Sequence, residues 1–232
     1  MDNARLAQLL FGDLTLTEED IAKRYPQREL PEGAKVTRFG PSPTGFVHFG
    51  GLFPVFVSER LAHQSGGVFY LRIEDTDAKR EVEGAAEGLV KTLEHYGVHF
   101  DEGAIIGDNG KIEDKGAYGP YRQSKRAEIY HVFAKRLVEE GKAYPVFTTK
   151  EELEKIKSAD KKSENSEKDW DSAAQERREQ QARQRAITLE EVERHLAAGD
   201  PYSLNILADG DGEKKLKFTD LIKGTLELPE ND

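Results

Sequence analysis

Apolar positions fall into short blocks whose spacing changes along the chain. Leu6 to Phe11, and a second piece opened by Thr17-Glu18-Glu19-Asp20, read as two short helices, the latter with a capping-box-like Thr-x-x-Asp; Pro26 and Pro31 close them. Val36 to Phe39 is a short apolar strand, cut at once by Gly40-Pro41-Ser42-Pro43-Thr44-Gly45, which neither helix nor strand can cross. Leu52 to His63 resumes with helical spacing, Pro54 falling in its first turn, where a missing N–H costs little. Gly66-Gly67 ends that helix. Val68 to Ile73 is a buried-strand candidate running into the acidic turn Glu74-Asp75-Thr76-Asp77, and a helix over Val82 to Tyr96 follows.

Strand, loop, helix, strand, helix is the βαβ rhythm of a parallel α/β sheet, so the first hundred residues have the pattern of a nucleotide fold. Residues 101–121 read as a long turn-rich connection with an Asn109-Gly110 hairpin signal. Lys125 to Glu140 is a helix and Ala143 to Phe147 a strand. A helix beginning over Lys150 to Ile156 dissolves into Ser158 to Arg185, where Trp170 is the one large apolar side chain, so the stretch is either a solvated helix or disordered. Leu189 to Ala197 is helical. Tyr202 to Ala208 and Lys215 to Leu221 flank Asp209-Gly210-Asp211-Gly212 and read as a hairpin.

Composition narrows the classes. No apolar run approaches the roughly 20 residues a membrane helix needs, and Met1 to Phe11 lacks the basic start and cleavage site of a secretory signal. With no cysteine, disulfides, thiolate nucleophiles and cysteine-based zinc sites are excluded, which fits a cytoplasmic address. The net charge of −10 argues against a surface that grips nucleic acid throughout and leaves room for a local basic patch.

Two places carry candidate chemistry. The loop Gly40 to Gly51 lies between a strand and a helix, where glycines admit close approach, helix N–H groups are unpaired and His48 adds a donor; a phosphate is well received there. It matches neither Gly-x-Gly-x-x-Gly nor Gly-x4-Gly-Lys-Ser/Thr, and a plain tight crossover with a solvent-facing His48 is the competing reading. The acids Glu74, Asp75 and Asp77 sit at the carboxyl end of a strand, the edge where open α/β sheets bind ligands. Glu74 could hold a cationic amine and Asp77 could cap the next helix, or all three are turn and cap residues. His95 and His99, near Asp101, have metal-like spacing, but Gly97 between them breaks the helix, so no metal site is expected.

Taken together, Thr37-Arg38-Phe39-Gly40-Pro41-Ser42-Pro43-Thr44-Gly45, His48-Phe49-Gly50-Gly51 and Arg72-Ile73-Glu74-Asp75-Thr76-Asp77 strongly resemble bacterial glutamyl-tRNA synthetase, a class I aminoacyl-tRNA synthetase. Gly119-Pro120-Tyr121-Arg122-Gln123-Ser124-Lys125-Arg126, Glu140-Gly141-Lys142-Ala143-Tyr144 and Asp220-Leu221-Ile222-Lys223-Gly224 follow in the family's order. The resemblance runs from about Val36 to the last residue.

It implies an α/β fold: a helical extension over 1–34, the first half of a class I (Rossmann-like) parallel-sheet nucleotide-binding domain over 35–115, and a smaller α+β insertion domain over 116–232 resembling the tRNA-acceptor-binding one. It implies ATP with Mg2+ as substrate, L-glutamate, and a glutamate-accepting tRNA. In such enzymes the glutamate carboxylate attacks the α-phosphorus of ATP. His48, standing at the first histidine of the HIGH signature, and the amides of Gly50 and Gly51 would stabilise charge growing on phosphate, with Thr44 beside ATP. Arg38 would pair with a carboxylate of glutamate, Ser42 would hydrogen-bond the amino acid, and Glu74 would face its ammonium. Arg80 would reach the tRNA 3′ end, unless it is a solvated helix-start arginine. Phe49 replaces the signature's usual aliphatic residue, and Pro145-Val146-Phe147-Thr148-Thr149 stands where many members carry zinc-binding cysteines, so no zinc is expected. The chain stops where members return to the nucleotide fold, so the second catalytic half is expected from elsewhere, for instance a second polypeptide. A binding remnant without chemistry and a glutamyl-queuosine-type paralogue are the alternatives.

Overall fold

A computed structural model describes residues 2–45, 49–77, 79–147, 179–208, 210 and 214–230. The Lys150 to Ile156 helix and most of the charged segment 158–185 therefore lie outside the described residues; 179–185 are helical. The chain divides into two compact units, Leu14–Val132 and Met1–Asp13 with Phe133–Asp232.

The Leu14–Val132 unit holds the sheet. Its helix α2 (Glu18–Arg24) opens on Thr17, whose hydroxyl accepts from the Asp20 amide while the Asp20 carboxylate accepts from the Thr17 amide, the capping box the Thr-x-x-Asp spacing implies. The strands β1 (Val36–Phe39), β2 (Val68–Leu71), β3 (Glu102–Ile106) and β4 (Ile112–Lys115) lie in that order, β1 and β3 parallel to β2 and β4 antiparallel at the edge. The helices α3 (Phe49–Gln64) and α4 (Ala85–His95) make the two crossovers. Leu52, Val55 and Ala62 of α3 and Ala86, Leu89, Val90 and Leu93 of α4 close over Phe69, Leu71 and Ala104 of the strands, all buried. A second small cluster joins Ile21 of α2 to Ile129 and Val132, from the first turns of α5 (Ala127–Glu139).

Several boundaries differ from the sequence expectation. The stretch read as a turn-rich connection contains β3. Its Gly103 suggested a turn, yet it sits in the ladder with φ +126°, and a Cβ there would overlap the Leu71 backbone, so glycine is what lets β3 pair with β2. The Asn109-Gly110 turn does join β3 to β4. The helix expected from Val82 starts at Ala85 with Gly84 as its N-cap; Asp77 does not cap it but pairs with Arg80. Because α3 begins at Phe49, Pro54 lies in its second turn, where the ring leaves the Gly50 carbonyl without its helix donor.

The second unit is smaller and mixed. In α1 (Asn3–Phe11) the residues Leu6, Ala7 and Phe11 are buried. The strand β5 (Ala143–Phe147) pairs antiparallel with β6 (Tyr202–Ile206), α6 (Leu189–Ala198) has its own capping box on Thr188 and Glu191, and β7 (Lys215–Asp220) pairs with β8 (Gly224–Pro229). The hairpin expected between residues 202–208 and 215–221 is thus not formed. The stronger turn signal is Asp220, whose carboxylate accepts from the Ile222 and Lys223 amides, followed by Gly224 at φ +76°. Across this unit Arg5 pairs with Glu193 at 3.0 Å, and the Phe147 and His195 rings stack at 4.6 Å. Among the described residues no helix is long and apolar enough to cross a membrane.

Candidate functional site

The strand β1 points Thr37 toward α3, its hydroxyl donating to the Ser58 carbonyl, so the alternation puts Arg38 on the opposite face. The chain then turns through Gly40 to Gly45. Beyond β2 the extended run continues to Glu74, hydrogen-bonded to this loop: the Arg72 amide donates to the Phe39 carbonyl, the Glu74 amide to Pro41, and the Val82 amide to Pro43. On the other side the Ile73 amide donates to the Tyr121 carbonyl and the Gln123 amide to Ile73. Three separate sequence motifs are laced together at the carboxyl ends of β1 and β2, the edge that binds ligands in such sheets.

At this edge Arg38 and Glu74 meet. Arg38 Nη1 lies 3.2 Å from Glu74 Oε1, and Arg72 Nη2 lies 3.1 Å from the same oxygen. Arg38 is the more exposed of the two arginines, at 42% against 15% for Arg72. Gly40 lets the carboxylate lie this close: a Cβ on it would stand 2.6 Å from Glu74 Oε1. Glu74 thus faces two guanidiniums through one oxygen.

Asp75 points the other way and is buried. It accepts from the Ser124 amide and hydroxyl, both at 2.8 Å, with Arg122 Nη1 at 3.5 Å. Its role is to fasten the acidic turn to the Gly119 to Arg126 motif.

Among the other predicted site residues, Ser42 and Thr44 are exposed on the loop, the Thr44 amide donating to the Ser42 carbonyl. Gly50 and Gly51 occupy the first turn of α3, with Gly50 exposed. His48 lies outside the described residues. Arg80 is paired with Asp77 at 2.6 Å, and that bond holds the Asp77 carboxyl below its ordinary value. Arg72 and Ser124 were not singled out in the sequence, although both stand inside its motifs, and Asp75 was read only as one of three acids at the strand end; what marks Arg72 and Asp75 is burial of charge, which a sequence does not display, and Ser124 is marked by its bonds to Asp75.

The family described as tRNA synthetases class I (E and Q), catalytic domain, matches residues 35–232. A glutamate–tRNA ligase of Clostridium perfringens is 46% identical along the whole of this chain, as is one of Clostridium beijerinckii. The chain spans 40% of the length of each. A solved glutamate tRNA ligase from Elizabethkingia meningosepticum, in complex with its amino acid, superposes with a TM-score of 0.65 at 30% identity over 85% of this chain and 36% of that one. The resemblance carried by the Arg38 to Gly45 and Arg72 to Asp77 motifs is borne out, and this chain belongs to the class I tRNA synthetase family of the E and Q group, within its catalytic domain.

Proposed function

We propose that the chain is the part of a glutamate–tRNA ligase that receives L-glutamate and ATP, the latter carrying Mg2+, and helps present them to a glutamate-accepting tRNA in the cytoplasm. The observation that carries this reading is the Arg38–Glu74 pair at 3.2 Å, held at the ligand-binding edge of the sheet. An α-amino acid is a zwitterion. Glutamate exchanges one ion pair for two, one of its two carboxylates taking Arg38 and its ammonium taking Glu74, while Arg72 keeps Glu74 in place. Ser42 supplies a further hydrogen bond. Thr44, His48, Gly50 and Gly51 receive ATP, and His48 with the two amides opposes charge growing on the phosphate during attack by the glutamate carboxylate. Arg80 contacts the tRNA end after releasing Asp77, and residues from about 116 onward form the acceptor-binding portion.

The rest of the relatives' length, whether continuous with this chain or on a second polypeptide, supplies the remaining contacts. An apolar stripe supports such a covering segment: Phe53, Phe56, Val57 and Leu61 are exposed along α3.

The experiment is thermal unfolding of the chain with ATP and magnesium, with and without excess L-glutamate. Glutamate raises the melting temperature and leucine does not. Equal shifts would refute the assigned specificity. Replacing His48 by Ala is expected to lower glutamate-dependent pyrophosphate exchange more than ATP affinity, since its contribution belongs to the transition state.

A further inference from the structure

Residues 14–33 precede the segment matched by the synthetase family, which begins at residue 35. Among the described residues, none of them joins the main core over the sheet; α2 has its own small cluster, Ile21 with Ile129 and Val132. The polar and aromatic side chains that follow α2 converge instead on segment 118–126. The Tyr25 hydroxyl donates to the Gly119 carbonyl at 2.6 Å, and the Tyr118 hydroxyl donates back to the Pro26 carbonyl at 2.8 Å. The two tyrosine rings stack at 6.3 Å, and an arginine of each segment sits on a tyrosine of the other: Arg28 is 3.7 Å from the Tyr118 centroid and Arg126 is 5.8 Å from that of Tyr25. Arg28 also gives both terminal nitrogens to Glu102, at 2.5 and 2.7 Å, and Glu102 accepts from the Tyr121 hydroxyl at 2.7 Å. Paired hydrogen bonds and stacked planes fix direction as well as distance.

Segment 118–126 is the one that holds Glu74. The carbonyl of buried Tyr121 accepts from the Ile73 amide, the Gln123 amide donates to the Ile73 carbonyl, and Ser124 donates twice to Asp75. Glu74 therefore lies between two residues that are both fastened to positions 121–124. Where its carboxylate stands relative to Arg38 follows from where that segment stands, and a binding site loses much of its grip when a contact group is displaced by a fraction of an ångström.

We propose that Tyr25 and Arg28 form a positioning brace for the amino-acid site, holding segment 118–126 so that Ile73 and Asp75 present Glu74 beside Arg38. The proposal rests on the reading of Arg38 and Glu74 as the glutamate site. Tyr25 and Arg28 are positioning residues: they act on Glu74 through Tyr118, Tyr121 and Ser124. Their contacts lead to the Glu74 side of the site, whereas the proposed ATP residues stand on the glycine-rich loop and the first turn of α3, so the two affinities should respond unequally.

The test uses the full chain with Tyr25→Phe, which keeps the ring and removes the hydroxyl bond to Gly119, and Arg28→Lys, which keeps a charge before Glu102 and removes the planar fork. Calorimetric titration with glutamate, and separately with ATP and magnesium, reads the two affinities. Each variant weakens glutamate binding about fivefold and ATP binding less than about twofold, a size within reach of coupling through packed side chains. Amide hydrogen exchange without ligand reads the brace directly: the Ile73, Gln123 and Ser124 amides exchange about fivefold faster in each variant, while the Val98 amide, bonded to the Leu93 carbonyl beyond α4, changes less than about twofold. Glutamate affinity unchanged in both variants, or glutamate and ATP affinities falling equally, overturns the proposal. So does exchange that is unchanged at the three amides or that rises alike at Val98. If the unaltered chain binds no glutamate, the glutamate reading fails by itself, and exchange alone decides the brace.

Discussion

Ser124 donates both its backbone amide and its hydroxyl to the buried carboxylate of Asp75, each at 2.8 Å, across 49 residues of sequence. The bond pair joins the acidic turn after β2 to the segment that leads into α5. Removing the acceptor strands two donors and leaves Arg122 facing no charge on that side. Asp75→Ala is therefore expected to cost about 3 kcal/mol of unfolding free energy, at the lower end for breaking a buried ionic cluster. Ser124→Ala, which removes one hydroxyl donor, costs about 1 kcal/mol. Urea denaturation of both variants and their double checks the ranking, and the double should cost less than the sum because the two groups share one interaction.

Gly40 separates site geometry from stability. The Cβ of an alanine would stand 2.6 Å from Glu74 Oε1, at the end of a side chain rather than against backbone. Glu74 can yield, but only by leaving the position between Arg38 and Arg72. Gly40→Ala should then lower the melting temperature by no more than a few degrees while abolishing most of the stabilisation that glutamate confers. Equal glutamate stabilisation in the variant would show that the observed Glu74 position is not the binding one.

The first two strands, the crossover between them and the ligand-binding edge were legible because local signals agreed there: Val36 to Phe39 and Val68 to Leu71 are strand-prone runs cut by Gly-Pro and acidic turns. The capping box at Thr17 was legible for the same reason. β3 was not, because Gly103 speaks locally for a turn, and only its close contact with Leu71 explains a glycine inside the ladder. Pairing of β6 with β5, about 55 residues away, is likewise set by tertiary contact, which overrode the local Asp-Gly repeat. At the site, Arg38 and Glu74 could be named from motif position, but the shared oxygen with Arg72 and the separate fate of Asp75 depend on which way alternate side chains face after the strand ends.

Acid should reveal the Glu102 cluster. Glu102 receives Arg28 through both terminal nitrogens and the Tyr121 hydroxyl at 2.7 Å, and the Arg28 bond, ahead of Tyr121, holds its carboxyl below the ordinary 4.5. The native state thus binds this proton more weakly than the unfolded chain. Its stabilisation is complete above about pH 4.5 and is lost as pH falls through the lowered native value. Glu102→Gln should therefore be less stable than the parent at pH 7, with the gap closing between pH 4.5 and more acidic solution. Other depressed carboxyls, Glu140 at about 2 among them, act in both proteins and cancel in the difference. A gap independent of pH down to 3 would contradict the assignment.

The last test concerns which arginine answers to substrate. Both Arg38 and Arg72 contact Glu74 Oε1, yet they are unequal: Arg38 is 42% exposed and Arg72 only 15%. An incoming carboxylate can reach the exposed guanidinium without unburying charge, whereas reaching Arg72 means breaking into a nearly closed environment. Arg38 should therefore exchange Glu74 for ligand, and Arg72 should stay. Losing one charge-assisted contact of this kind is worth roughly 1.5 to 3 kcal/mol, or about tenfold to a hundredfold in affinity. Arg38→Ala is expected to weaken glutamate binding by that factor while changing stability by less than 1 kcal/mol, since the exposed pair contributes little to folding. Arg38→Lys should recover only part of the affinity, because a point charge cannot grip both oxygens of a carboxylate. Arg72→Ala should reverse the pattern, with the larger loss in unfolding free energy, as Glu74 loses a buried partner. Calorimetric glutamate binding with urea denaturation of the three variants decides it, and a stability loss larger for Arg38→Ala than for Arg72→Ala would invert the roles assigned to the two side chains.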